Sequence, residues 1–161
     1  MLSNSFPHLN NSAAQHDALE KIWARVGRRE HLPDLADSYW HAGKLGPNTN
    51  ALDPKRGFWA FPDPRPNYEG KATEESAKAG VKPYKTEWRA KRQLRLADFR
   101  GVAMAVHELY FNYCRTHTDY RKALELWCNH YLFDGISGAG SDDQFFIAVP
   151  DALKLVSAIP L

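Results

Sequence analysis

Residues 131–156 read YLFDGISGAGSDDQFFIAVPDALKLV, and this stretch decides which fold class the rest of the chain fits. An aromatic segment passes through FDGI into a loop of small and acidic residues, and the loop leads into the apolar run FFIAV. A short apolar run bounded by turn residues is typical of a strand buried on both faces. Gln144 opens this strand, directly after Asp142 and Asp143. We therefore predict a buried strand with polar side chains at its mouth.

The composition is that of a single globular domain. The chain has 161 residues, of which 43% are hydrophobic and 25% charged, so one core is expected over residues 1–161. The formal net charge of +2 gives no global argument for binding nucleic acid or a membrane surface. Any basic surface that serves a partner must therefore be local.

Cysteine and histidine usage indicates a cytoplasmic protein without a metal site. Cys114 and Cys128 both lie in helix-like aromatic segments, where a buried thiol is the usual state. The seven histidines show no recognisable zinc spacing. The first residues lack the pattern of a cleaved leader, and no apolar run is long enough to span a bilayer. We therefore expect a soluble protein with no membrane partner.

Helical periodicity appears in three segments. Residues 12–26 place Leu19 and Trp23 on one face, with Ser12 and Gln15 spaced as a capping box, and we predict a helix there within an N-terminal extension, residues 1–30. Two further helices follow residue 100. Their apolar stripes are Val102, Val106, Leu109, Tyr110 and Tyr113, then Tyr120, Leu124, Trp127, Cys128 and Tyr131. Tyr110 and Trp127 are therefore predicted to belong to the core.

Extended structure is predicted between and after these helices. DSYWHAG, RGFWAFP and ALKLVSAI read as strands, and YKTEWRAKRQLRLADF reads as one or two antiparallel strands. Four prolines at positions 54–66 predict a rigid loop that carries Tyr68, followed by a short helix in TEESAKAG. The basic residues of EWRAKRQLR are interpreted as the solvated face of an edge strand, or as the place for an acidic or nucleic-acid target. The order helix, strands, helices, strands predicts an α+β domain.

Several of these segments resemble the ADP-ribosyltransferase superfamily. YWHAG, RGFWAFPDP, LRLADF and FDGI, followed by DDQFFIAVPDALKLV, are similar in order and kind to segments of its His-Tyr-Glu branch and of its small bacterial and phage relatives. The resemblance covers about residues 39–159. It implies a split antiparallel sheet, with an N-terminal helix and a helix pair between strands, that binds NAD as a substrate in its cleft.

The resemblance also implies a reaction. Cleavage of the bond between nicotinamide and ribose leaves an oxocarbenium-like sugar, so the site must orient the ribose and stabilise positive charge. By matching positions, His41 would hydrogen-bond a hydroxyl of the adenosine ribose, and backbone groups of Ala42 or Gly43 would bind the nicotinamide carboxamide. Without the resemblance, His41 at the end of an aromatic strand reads as a structural hydrogen-bonding group.

An aromatic side chain would stack on the nicotinamide ring. Tyr68 matches that role by position, while Trp59 or Phe61 would fill it if the intervening loop lies differently. The alternative for Tyr68 is that it packs against a proline ring of its own loop.

Gln144 stands where the family carries a glutamate that fixes the ribose 2′-hydroxyl. A glutamine carbonyl accepts a hydrogen bond from a hydroxyl, but it brings no negative charge and cannot act as a base. The missing charge is assigned to Asp142 or Asp143, and strand alternation favours Asp142 as the partner of Gln144.

Three functions remain open at this point. The first is an NAD-dependent mono-ADP-ribosyltransferase that modifies a protein or nucleic acid, as a bacterial toxin or phage-encoded modifier, with a cognate inhibitor or antitoxin as a partner. The second is a catalytically degenerate relative that acts as a binding or inhibitor module. The third is a metal-independent ribonuclease that uses Arg100 and His107, a spacing that suits an all-helical protein.

Overall fold

The computed structural model describes residues 11–43, 52 and 54–161, with the side chains of Asn67 and Tyr68 outside that description. Its helices are α1 (Ser12–Ala24), α2 (Pro66–Ala79), α3 (Ala103–Tyr113) and α4 (His117–Tyr131). Its strands are β1 (Glu30–His31), β2 (Ser38–Gly43), β3 (Phe58–Ala60), β4 (Tyr84–Ala90), β5 (Leu96–Asp98), β6 (Gly135–Ser137), β7 (Phe145–Ile147) and β8 (Leu153–Pro160). A short 3-10 helix, Pro150–Ala152, precedes β8. This order confirms the predicted α+β class.

The strands form two sheets. One sheet has five strands in the order β1-β5-β6-β7-β3, and the other has three in the order β2-β4-β8. Every neighbouring pair is antiparallel except β5 and β6, which run parallel because α3 and α4 cross between them. The β5–β6 pair is thus the one parallel exception to the predicted antiparallel sheets among the described strands. Backbone hydrogen bonds of 2.7 and 2.9 Å between Trp40 and Phe61 join the two sheets at β2 and the end of β3.

Two apolar clusters hold these layers. The first lies between the five-stranded sheet and the helices α1, α3 and α4, and its buried members include Leu19, Trp23, Val106, Leu124, Trp127 and Phe146. The second lies where the two sheets meet, and includes Tyr39, Phe58, Trp88, Leu96 and Phe145. Trp127 is 1% exposed, which confirms its predicted place in the core, whereas Tyr110 is only partly buried at the edge of the first cluster.

The predicted first helix is confirmed, but its cap is not. Asn11 is the N-cap, and its side chain accepts a hydrogen bond from the Ala14 amide, so Ser12 already lies inside the helix. Gln15 is buried, and its amide donates to the carbonyl of Tyr113 at 2.9 Å. The Gln15 side chain therefore ties α1 to α3 instead of capping α1.

The region after Pro66 differs most from the prediction. Residues 66–79 form one continuous helix, α2, in place of a rigid loop and a short helix. Pro66 occupies the first turn, where its missing amide hydrogen costs nothing, and Gly80 ends the helix with φ +69°. Tyr68 therefore belongs to a helix, and the predicted role of its ring falls outside the described side chains.

The basic cluster EWRAKRQLR is not on an edge strand. β4 is the central strand of the three-stranded sheet, between β2 and β8. Beyond its end, Arg92 donates two hydrogen bonds of 2.6 Å to the buried carboxylate of Asp134, and Arg95 pairs with Glu30. Asp134 also accepts from the Arg95 amide at 2.8 Å. These arginines hold the start of β6.

Both cysteines, Cys114 and Cys128, are buried free thiols, as predicted. Burial raises the pKa of the Cys114 thiol to about 11. Within the described ranges, no group of three or more His, Cys, Asp or Glu side chains converges as metal ligands would. None of the helices described here has both the length and the apolar character needed to cross a bilayer.

Candidate functional site

An open cleft of about 780 Å³ lies at the junction of the two sheets. Its lining comes from β2, β3 and β4, from the segment between β3 and α2, from α2 and the first turns of α4, and from the loop before β7. Lining residues used below are His41, Ala42, Gly43, Trp59, Phe61, Glu75, Ser76, His117, Arg121 and Gln144. Sequence analysis identified six of these residues, which range from position 41 to position 144.

His41 is held in one orientation at the sheet junction. Its Nδ1 lies 2.7 Å from the carbonyl oxygen of Trp59, so Nδ1 carries the proton that the carbonyl accepts. Its ring packs edge-on against Phe58. In the neutral ring, Nε2 is then the accepting nitrogen, which suits the hydroxyl of a sugar.

Gly43 is the last residue of β2 and packs against α2. Its φ is +101°, and a Cβ placed there would lie 3.1 Å from the Cβ of Ala72 in α2. The absence of a side chain lets the strand end approach the helix. Ala42 and Gly43 both line the cleft.

The two aromatic candidates are already in contact with protein groups. Trp59 packs among the rings of His117, Tyr120 and Phe146, with centroid separations of 4.7, 5.5 and 4.8 Å. The guanidinium of Arg65 lies 4.3 Å from the ring centroid of Phe61. A ligand ring stacking on that face of Phe61 would have to displace Arg65, so Trp59 is the better placed of the two.

Gln144 lies at the mouth of β7 and lines the cleft, as its place in the sequence predicted. A Cβ on Gly140, whose φ is +106°, would lie 2.8 Å from Gln144 Oε1, so the amide occupies the space that Gly140 leaves. Gln144 also accepts backbone hydrogen bonds from Gly138 and Ala139 at 2.8 and 3.0 Å. The loop is therefore folded around this residue.

Asp142 and Asp143 do not line the cleft. Residues 141–143 form a turn, so the alternation of a strand, which favoured Asp142 as the partner of Gln144, does not apply. Asp142 accepts from the Gly101 amide at 2.9 Å. Asp143 pairs with Arg65, whose hydrogen bond holds the pKa of that carboxyl below its usual range. The turn thus directs both carboxylates away from the place that was predicted for them.

The carboxylates that do line the cleft are Asp63 and Glu75. Asp63 is hydrogen-bonded to Arg65, while Glu75 has Lys71 at 4.0 Å, with both side chains more than half exposed. Sequence inspection missed Glu75, because its TEESAKAG segment shows only ordinary surface-helix charges. Only the packing of α2 beside β2 brings this residue to the cleft.

The cleft also contains a neutral histidine that sequence inspection did not assign. Burial and the nearby charge of Arg121 lower the pKa of His117, so its imidazole is uncharged at neutral pH. His117, Trp59 and Gln144 also line a second, smaller groove of about 310 Å³, together with Tyr110 and Phe111. These three side chains therefore separate two adjoining cavities.

The residues of the ribonuclease hypothesis do not form a site. Arg100 makes two hydrogen bonds, of 2.9 and 3.0 Å, to the carboxylate of Asp98. His107 lies in α3 and packs against Phe111. No contact between Arg100 and His107 is seen in the described structure, and the α+β fold is not the all-helical one that the spacing suits.

No protein-family model matches this sequence, and no curated protein matches it. Among solved structures, the chain is similar to one from the crystal structure of the M. tuberculosis MbcT–MbcA toxin–antitoxin complex. The two share 11% sequence identity over 88% of this chain and 92% of that chain, with a TM-score of 0.47. A similarity of this size does not establish a common fold, so the cleft is interpreted from its own residues.

Proposed function

We propose that the chain binds NAD in the cleft, releases nicotinamide and transfers ADP-ribose to a protein or nucleic-acid acceptor. The observation that supports this proposal is the meeting of His41, Ala42, Gly43, Trp59 and Gln144 on one cleft. A cavity of about 780 Å³ is also within the range of small-molecule and cofactor sites, which is roughly 300–1,000 Å³.

Each group has a task in this proposal. Nε2 of His41 accepts from a ribose hydroxyl, and the Gln144 carbonyl accepts from the 2′-hydroxyl of the other ribose. The bond from C1′ to nicotinamide breaks with its electron pair on the departing nitrogen, which neutralises the pyridinium. The acceptor then bonds to C1′ and loses a proton, for which Glu75 is the base. The Glu75 carboxylate also supplies the negative charge that Gln144 lacks.

A binding module is the second candidate, and the environment of Gln144 favours it. The amide that replaces the family's glutamate is neutral, and it is seated in space made by Gly140. Neither neighbouring aspartate lines the cleft to replace the charge. In this case the chain binds NAD without releasing nicotinamide, and it acts through a partner such as a cognate inhibitor or antitoxin.

Nicotinamide release distinguishes the two candidates. If Glu75 acts as proposed, Glu75→Gln lowers the release rate by about a hundredfold, because a carboxylate beside the developing cation is lost. Gln144→Glu raises the rate, since it adds a second carboxylate at the same sugar. The measurement is chromatography of nicotinamide from NAD, with Glu74→Gln as the control, because Glu74 is the neighbouring acid of α2 and pairs with Lys78 outside the cleft lining. Wild-type protein that binds NAD and releases nothing supports the binding module.

His41 tests NAD binding independently of turnover. His41→Ala is expected to weaken NAD affinity by about 1–3 kcal/mol, the cost of leaving a polar partner unpaired. Calorimetric titration measures this loss. The matched control is His31→Ala, which removes another half-buried histidine, one that bonds Ser137 outside the cleft lining. Equal NAD affinity in a folded His41→Ala protein would remove His41 from the site.

A further inference from the structure

Arg56 is half-buried, and two nitrogens of its guanidinium group are buried without a hydrogen-bonding partner among the described residues. Its Nε and Nη2 are sealed from solvent, and neither has an acceptor among the described residues. Other cations beside the cleft have carboxylate neighbours: Lys71 has Glu75, Lys85 has Glu69, and Arg65 has Asp63 and Asp143. Burying charged donors without acceptors destabilises a folded chain. Arg56 is therefore a feature that stability alone does not explain.

Arg121 places a second guanidinium in the same region. It lies one turn into α4, is only 6% exposed, and lines the cleft. Its Nε donates to Glu125 Oε1 at 2.9 Å. Burial and repulsion from Arg121 lower the pKa of Arg56, while Glu125 opposes this effect, so two guanidinium groups share one carboxylate. The region keeps an excess of positive charge.

Ser76 adds a hydroxyl without a partner. The residue is fully buried in α2 and lines the cleft, and its Oγ has no hydrogen-bond partner among the described groups. A serine in a helix commonly bonds the carbonyl one turn back, and this one does not. Its hydroxyl is thus available to a group inside the cleft.

The first turn of α4 supplies further donors. Thr116 caps this helix, and its hydroxyl accepts from the Asp119 amide at 3.1 Å. The amides of His117 and Thr118, both residues of the cleft lining, have no described hydrogen bond. The start of a helix of 15 residues favours anions through its unpaired amides and its dipole.

We propose that Arg121, Ser76 and the first turn of α4 form a phosphoryl-binding site in the cleft, and that the half-buried Arg56 supports it as a positioning residue. Its ligand is the diphosphate of a dinucleotide, an assignment that rests on the proposed function. Arginine binds phosphoryl oxygens in pairs, and helix amides and a hydroxyl complete that donor set. The three features meet only after α2 and α4 are packed beside β3, because residues 77–116 separate Ser76 from α4.

The acids nearby do not cancel this charge. Glu75 lines the cleft with Lys71 at 4.0 Å, and Glu125 is bonded to Arg121 itself. Asp119 belongs to the first turn, and its amide is bonded to Thr116. The neutral His117 contributes no charge of its own. Glu75 and Glu125 therefore each have a cationic neighbour, while Nε and Nη2 of Arg56 have no acceptor among the described groups.

Calorimetric titration of inorganic pyrophosphate tests the site without the sugar or the nicotinamide. Wild-type protein is expected to bind it, and Arg121→Gln to weaken binding about tenfold or more, as for a lost hydrogen bond to a charged group. Lys122→Gln is the control, since it removes the same charge from the next, exposed position of α4. Nicotinamide riboside, which lacks phosphate, should bind both variants as it binds wild type. Absence of pyrophosphate binding by wild type, or equal loss for both ligands in Arg121→Gln, overturns the site.

Two further variants keep the test decisive if Arg121→Gln does not fold. Ser76→Ala removes an unpartnered hydroxyl, so it should keep the melting temperature and weaken pyrophosphate binding several-fold. Arg56→Met should raise the melting temperature of the ligand-free protein while weakening pyrophosphate binding, because it removes a guanidinium group whose Nε and Nη2 are buried without acceptors. Lower thermal stability with unchanged pyrophosphate affinity in Arg56→Met would assign Arg56 a structural role and contradict the proposal.

The same measurements separate this site from the proposed reaction. Pyrophosphate binding that depends on Arg121, in a protein that neither binds nicotinamide riboside nor releases nicotinamide from NAD, supports the phosphoryl site and contradicts the proposed function. NAD turnover that Arg121→Gln leaves unchanged, without pyrophosphate binding, supports the function and overturns the site.

Discussion

Trp127→Ala is expected to lower the free energy of unfolding by about 3–5 kcal/mol, because it removes a buried indole and leaves a cavity. The ring is 1% exposed and contacts Trp23, Phe99 and Phe133, with centroid separations of 5.2, 5.4 and 5.8 Å. Its Nε1 also donates to Glu20 at 3.0 Å, so the variant removes a partner of that carboxylate as well. The loss is expected whatever the chain does.

Denaturant unfolding measures the change, and for a chain of this size the melting temperature should fall by roughly 6–20 °C. Leu126→Ala is the matched control. It removes an apolar side chain from the preceding position of α4, where the residue is 58% exposed, and it should cost less than about 0.5 kcal/mol. A loss below about 1 kcal/mol for Trp127→Ala would contradict the described core.

Gly135→Ala is expected to destabilise the chain by about 3 kcal/mol, at the upper end of the cost of overpacking. Gly135 lies in β6, which pairs with β5 on one side and β7 on the other. A Cβ at this position would lie 2.0 Å from the carbonyl oxygen of Phe146. That atom is backbone of the neighbouring strand, so relief requires a shift of β7 rather than a side-chain rotation.

Gly70→Ala is the control for this variant. Gly70 lies within α2, and a Cβ there would meet nothing within 4 Å. Alanine should therefore stabilise the helix by about 0.5–1 kcal/mol. Opposite signs for the two glycine variants in thermal unfolding would support the described approach of β6 to β7. Equal, small effects would contradict it.

The fold was predictable where periodicity and burial agree. Apolar patterns in the sequence predicted the helix pair, the FFIAV strand and the DSYWHAG strand. The sheets and the two apolar clusters require the same patterns, because these elements are packed within them. The full extent of the α2 helix was not predictable from the sequence. Its face toward the cleft includes the small residues Ala72 and Ser76, which give no apolar stripe, and four nearby prolines suggested a loop. The parallel pairing of β5 with β6 is a property of the crossover, which no local pattern encodes.

Residues of the cleft were predictable only where a strand end carries them. His41 and Gln144 stand at β-strand ends with distinctive neighbours, and both line the cleft. Glu75, Ser76 and Arg121 lie on helices among ordinary polar residues. Ser76 and Arg121 are buried and Glu75 is exposed, so no single local property identifies the three residues. Their place at the cleft appears only when segments distant in sequence have been packed together.

The pairing of β3 with β7 determines when the cleft can form during synthesis of the chain. Residues 61–144 lie between the two strands. One wall of the cleft therefore forms only when these two strands, which are far apart in sequence, pair with each other. Domains emerge from the ribosome with their N-terminal parts first, and non-local strand pairing is slow. A nascent chain that ends before β7 contains His41 and Trp59, but β3 has no partner strand on this side of the sheet. The cleft is therefore completed late, after β7 (Phe145–Ile147) of the 161-residue chain has been translated.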